Sequence, residues 1–180
     1  MMNGKDGSGR DGPPTSRPNA ALARVPLGVI LLCLLPLFFG VHGHEPWTPD
    51  EPREAEIARG MAAEGPWLIP RLGGKPFVEK PPLYYWTAAL AIRAAGGLIG
   101  PTAAVRMVSS LCAAGTLLLL AFALRPVLGA RRTAIAVLIL ATSAGFIRAA
   151  HWINIDPLLM LLVSAAVLLL FRGLERGETP

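Results

Sequence analysis

Seven acids and five bases crowd the stretch between residues 42 and 82. They are Glu45, Asp50, Glu51, Glu54, Glu56, Glu64 and Glu79 against Arg53, Arg59, Arg71, Lys75 and Lys80. One further acid, Asp156, stands far downstream, directly before Pro157. Carboxylates gathered at one place can act as a general base or hold a hard divalent cation. A lysine beside one of them can neutralise a phosphate as a point charge. Asp50, Glu51, Glu79, Lys80 and Asp156 therefore suit chemistry on a lipid phosphate, provided the fold brings them to one face. Each also has a plainer use. Asp50 and Asp156 stand where helix caps stand, and Lys80 can snorkel to an interface. Tyr84, Tyr85 and Trp86 are ordinary membrane-interface aromatics. Arg148, near the end of an apolar run, also reads as snorkelling, and His42, His44 and His151 lack metal-ligand spacing.

The elements that must position these residues are written in the apolar content. Of 180 residues, 53% are apolar and only 16% charged, with mean hydropathy +0.49. Soluble domains carry about 25% charged residues, so a soluble single-domain enzyme is excluded. Val25–Val41 and Met107–Leu124 are free of charge over 17 and 18 residues, the lower end of what crosses a bilayer. Cys33 and Cys112 lie inside apolar runs, which excludes a disulfide framework. The formal charge of +5 comes from arginines flanking apolar segments, the pattern that orients membrane proteins rather than one that binds nucleic acid.

Residues 1–24 read as a disordered cytoplasmic tail, and 25–41 as an uncleaved first span, with a signal peptide as the lesser alternative. Asp50 to Glu64 reads as a helix: Asp50 caps it, Pro52 suits its first turn, and Ala55, Ala58, Met61 and Ala62 form one apolar stripe. Gly73-Gly74 marks a turn. Leu83–Ile92 is only ten residues long before Arg93 interrupts it, which suits a surface helix over 83–99 better than a span. With that helix flat on the outer face, spans at about 106–124, 133–153 and 157–172 place Arg125, Arg131, Arg132, Arg172 and Arg176 on the cytoplasmic side, as the positive-inside rule requires. The expected fold is an all-α integral membrane bundle of about four transmembrane helices. Its structured external first loop, 42–105, contains juxtamembrane helices, and 173–180 is a cytoplasmic end. This topology carries Asp50, Glu51, Glu79, Lys80 and Asp156 to one external rim.

The string from Pro49 to Trp86, P-D-E-P-R-E-A-E-I-A-R-G-M-A-A-E-G-P-W-L-I-P-R-L-G-G-K-P-F-V-E-K-P-P-L-Y-Y-W, closely resembles the first external loop of the polyprenyl-phosphate-dependent glycosyltransferases with the membrane-embedded C-type fold. It is similar above all to lipid A aminoarabinose transferases and protein O-mannosyltransferases. The likeness continues through Ala104-Val105-Arg106, Arg131-Arg132-Thr133 and Asp156-Pro157, and covers about residues 25–172.

The resemblance implies a sugar transferase of the inner membrane, active at its external face. The donor would be a sugar linked to a polyprenyl phosphate of the undecaprenyl or dolichyl type, and the acceptor a lipid, glycan or protein. By the same resemblance Asp50 is the catalytic carboxylate and Asp156 the second external acid. Lys80 binds the donor phosphate, Glu51 and Arg53 contact substrate, and Glu79 lies near a divalent metal ion (Mg²⁺, Mn²⁺ or Zn²⁺). Two departures stand out. Family members are several times longer, which implies a missing C-terminal half. Relatives also often carry an aromatic residue near Glu54. The alternatives are a non-catalytic lipid-phosphate-binding protein or partner subunit that keeps the fold, and a small transporter. The latter needs polar side chains inside its spans, and these spans have few.

Overall fold

The computed structural model of the chain describes residues 27–42, 45–47, 49–63, 65 and 67–175. The expected N-terminal tail, His44, Glu64 and the end beyond residue 175 lie outside the described residues. Among the described residues, seven helices and one short hairpin follow in chain order: α1 (Leu27–Phe38), α2 (Asp50–Ala63), β1 (Arg71–Leu72), β2 (Lys75–Pro76), α3 (Leu83–Ile99), α4 (Pro101–Leu128), α5 (Ala130–Thr142), α6 (Ala144–His151) and α7 (Asp156–Glu175). The hairpin is a small addition to the all-α expectation. Gly73 and Gly74, both at positive φ, form the two-residue turn that such a hairpin favours, with Arg71 opposite Pro76.

α4 organises the rest. At about 1.5 Å per residue its 28 residues reach beyond the roughly 30 Å of a bilayer core. One side of it meets α2 and α3. Val105, Val108 and Cys112 pack there against Ile57, Met61 and Tyr85, with Ile153 joining from the segment after α6. Its other side meets α1, α5 and α6, where Ala113, Ala114 and Leu117 pack against Cys33, Leu37, Ala141 and Phe146. α7 lies along α4, close enough that a Cβ on Gly115 would sit 3.4 Å from a Leu161 methyl.

Among the described residues, two helices are long and apolar enough to cross a membrane by themselves: Pro101–Leu128 and Asp156–Leu174. The stretch expected as one span over 133–153 is instead two helices, α5 and α6, bent by 62° at their junction. The cause is local. Thr142 Oγ1 donates to the Leu138 carbonyl at 2.8 Å and Ser143 Oγ to the Leu140 carbonyl at 2.9 Å. Hydroxyls that bond back to the preceding turn compete with the helix ladder and bend it. Ser143 itself takes extended backbone angles. α3, which contains Arg93, does not reach the length of a membrane-crossing helix. It ends at Gly100, whose φ of 87° suits glycine better than any other residue, and α4 starts at once with Pro101 at its first position.

Candidate functional site

α2 carries two carboxylates on its inward face. Glu51 and Glu54 are spaced like Ala58 and Met61, three and four residues apart, so all four share one side of the helix. Both acids are buried to 1% or less. A buried carboxylate is costly unless it is paired and hydrogen-bonded, and each of these is.

Glu51 is the hub of a bracket. Its Oε2 accepts the Trp47 N–H at 2.8 Å, and its Oε1 accepts the Ile153 N–H at 2.9 Å. The guanidinium of Arg106, equally buried, reaches the same carboxylate at 3.3–3.4 Å and also donates to the Glu45 carbonyl at 3.2 Å. Burial pushes the Glu51 carboxyl up, but the two backbone donors and Arg106 outweigh it and hold it below its ordinary value. The carboxylate expected from sequence to contact substrate has both oxygens engaged by protein donors. Its geometry ties the segment before α2, α4 and the segment after α6 together.

Glu54 is the hub of a second group. Lys80 Nζ lies 2.5 Å from its Oε1, the Tyr85 hydroxyl donates to its Oε2, and Arg53 lies 3.6 Å away. Burial and the neighbouring Glu54 carboxylate push the Tyr85 hydroxyl up, so it remains a donor. Arg53 also pairs with Asp50 at 2.7 Å and sits over the Phe77 ring. Asp50, Arg53, Glu54 and Lys80 therefore form one continuous chain of alternating charge. It runs from a 60% exposed Asp50 to a Lys80 whose side chain is 25% exposed.

The remaining predicted residues are placed as follows. Glu79 is exposed and, with Lys80 and Pro81, lines a pocket of about 440 Å³ floored by Phe77 and Ile69. Asp156 is exposed at the start of α7, and its N–H donates to the Asn154 side chain at 2.8 Å. No hydrogen bond or ion pair joins Asp156 to Asp50 among the described residues. What joins their segments is the bond from Ile153 to Glu51. Among the described residues no group of three or more His, Cys, Asp or Glu side chains converges to hold a metal ion. Glu79 belongs to no such group among the described residues.

Glu54 and Arg106 were not singled out from sequence. A signal for Glu54 was present, since an acid four residues before Ala58 on an apolar helix face must find partners. Arg106 stands immediately before the uncharged run of α4, where flanking arginines normally face water.

The comparisons with known proteins agree on one group. The family model for dolichyl-phosphate-mannose-protein mannosyltransferase matches residues 79–180. The undecaprenyl phosphate-alpha-4-amino-4-deoxy-L-arabinose arabinosyl transferase of Serratia proteamaculans is 33% identical over 139 residues, covering 76% of this chain and 24% of the relative. Its Pseudomonas aeruginosa counterpart is 32% identical over 153 residues, covering 83% and 27%. The crystal structure of ArnT from Cupriavidus metallidurans bound to undecaprenyl phosphate superposes with a TM-score of 0.72 at 27% identity, over 79% of this chain and 26% of that one. The chain spans about a quarter of the length of the relatives it matches.

Proposed function

Because the chain belongs to the dolichyl-phosphate-mannose-protein mannosyltransferase family, we propose that it takes part in sugar transfer from a polyprenyl-phosphate donor to a lipid, glycan or protein acceptor. The observation that carries this reading is the charge chain on α2. It puts an exposed acid, Asp50, and a partly exposed ammonium, Lys80, at the two ends of one fixed array. In the proposed step Asp50 takes the proton of the acceptor hydroxyl as its oxygen attacks the anomeric carbon of the donor sugar. The bond from that carbon to the phosphate oxygen breaks, and the phosphate leaves with the electron pair as polyprenyl phosphate. Lys80 neutralises the charge that develops on it. Arg53, whose guanidinium carbon lies 5.6 Å from the centre of the Phe77 ring and which pairs with Asp50, fixes the carboxylate and faces the substrate. Asp156 is the second acid at the same rim.

The membrane placement follows the positive-inside pattern. α1, the bent α5–α6 pair, α4 and α7 act as four crossings, with α2 and α3 lying against the external face of the inner membrane and the N-terminus in the cytoplasm. Arg125, Arg131 and Arg132, at the junction of α4 and α5, then face the cytoplasm. The donor and acceptor contacts assigned here are those that this quarter of the relatives' length can supply.

The test is sugar transfer in membranes, from mannosyl and aminoarabinosyl polyprenyl phosphates. Asp50→Asn and Lys80→Ala are expected to lower it by about 10²–10⁴-fold at unchanged membrane level. Parent activity in both variants overturns the assigned roles. Polyprenyl-phosphate binding by the parent chain with no turnover supports the non-catalytic, lipid-binding alternative instead.

A further inference from the structure

The Glu51–Arg106 bracket has a product besides its own stability. Trp47 and Ile153, whose N–H groups it fixes, stand on two opposed segments, and Arg106 also grips the Glu45 carbonyl. Between those segments lies a pocket of about 420 Å³ lined by Glu45, Trp47, Arg148, His151 and Trp152. None of its residues belongs to the Asp50–Lys80 chain. One wall is the indole of Trp47, 75% exposed. Trp152 lines the same pocket, with the Arg148 guanidinium carbon 3.9 Å from the centre of its ring. That cation–π contact holds the guanidinium at the pocket. Trp152 is followed within four residues by Asp156 at the start of α7, so the pocket adjoins the rim where the second acid stands.

An exposed aromatic face sharing one pocket with a ring-held cationic donor, a carboxylate and an imidazole is the arrangement that recognises a pyranose ring. The ring's C–H face lies on the indole, and its hydroxyls meet Arg148, Glu45 and His151. A small number of placed polar groups inside an aromatic cleft sets orientation and specificity in small-ligand sites generally. A plain anion site would not need Trp47 or the carboxylate of Glu45. A lipid-tail groove would not carry three ionisable side chains.

We propose that this pocket is a saccharide subsite, held open by the Glu51–Arg106 bracket, that binds a sugar ring presented at the external rim. The inference rests on the sugar-transfer reading above. The ring can come from the donor or from a glycan acceptor, and the same chemistry serves both. Trp47 is the stacking platform and Arg148 the principal hydroxyl donor.

The experiment uses the full chain in nanodiscs, free of sugar-headed detergent, and three probes: bare polyprenyl phosphate, mannosyl polyprenyl phosphate, and a mannosyl diacylglycerol that carries no phosphate. Trp47→Ala and Arg148→Ala are expected to weaken one or both sugar-bearing probes by tenfold or more and to leave bare polyprenyl phosphate unchanged. Trp47→Phe keeps most of the parent affinity, because an aromatic face remains. A loss confined to mannosyl polyprenyl phosphate assigns the subsite to the donor sugar, and a loss confined to the glycolipid assigns it to the acceptor. Equal binding of both sugar probes by the parent and the two alanine variants overturns the proposal, as does a parent chain that binds neither. Failure of the sugar-transfer reading is a different result: bare polyprenyl phosphate then does not bind, or binds independently of Lys80.

Discussion

Glu51 and Glu54 sit three residues apart on one face of α2, both fully buried, and yet they do opposite things. Glu51 is closed on every side: two backbone N–H groups and one equally buried arginine use its oxygens. Glu54 is buried at its carboxylate but hands its charge outward through Lys80 and Arg53, both partly exposed. One acid fastens segments 102 residues apart. The other holds a cation near the surface with its charge half used. What separates them is whether the partner can leave. Arg106 is anchored by α4 and cannot, whereas Lys80 stands on a loop beside an open pocket.

Three experiments can break or sharpen this contrast. The largest effect is expected from Arg106→Ala, which strands a buried carboxylate. Removing one partner of a buried pair costs about 3–5 kcal/mol, and thermal unfolding of the purified chain should show it; a loss under about 1 kcal/mol would mean that the bracket holds nothing. Next comes Glu54→Gln. It replaces a charged acceptor with a neutral amide oxygen for Lys80 and Tyr85, at a cost of about 1–3 kcal/mol. It also frees Lys80 from its counter-charge, so bare polyprenyl phosphate should bind about three- to tenfold more tightly, the equivalent of up to about 1.4 kcal/mol. Weaker binding in that variant would assign Glu54 a role in contacting ligand directly.

The smallest effect is a pH response. The Glu51 carboxyl is held below its ordinary value in the folded chain, so the unfolded chain binds the extra proton first as pH falls. The stabilisation is complete above the ordinary glutamate range of about 4.3 and is lost as pH drops through the folded value. The thermal unfolding midpoint should fall over that interval. A midpoint that stays flat from neutral pH down through it would mean that the charge on Glu51 adds nothing to the bracket.

Much of this was legible in the residues. The expected helix from Asp50 to Glu64 is found as Asp50–Ala63, because its first-turn Asp50 and Pro52, its apolar spacing and its terminating glycine are local signals. The Gly73-Gly74 turn and the separation of α3 from α4 at Gly100-Pro101 were legible for the same reason. The bend at Ser143 was not, since hydropathy over 133–153 is continuous and the hydroxyl bonds that break the helix depend on rotamers. Nor were the partners of Glu51 and Glu54. A count of charges treats acids in a polar loop as solvated, and nothing near residue 51 announces a contact at residue 153. The sequence placed Lys80 beside Glu79, and by adjacency that pairing looks natural. The fold gives it to Glu54 instead, 26 residues earlier.

α4 also constrains how the chain can change. Each residue added to a helix turns everything beyond it by about 100° and advances it by about 1.5 Å. Arg106 faces the Glu51 bracket while Ala113, Ala114 and Leu117 face the α1–α5–α6 side. The seven helical steps from Arg106 to Ala113 therefore act as a fixed angular gauge between the bracket and the packing below it. A single insertion or deletion between Arg106 and Ala113 would swing the arginine off its carboxylate, or the small-residue face off its neighbours. The indel record of this chain should thus be blank there.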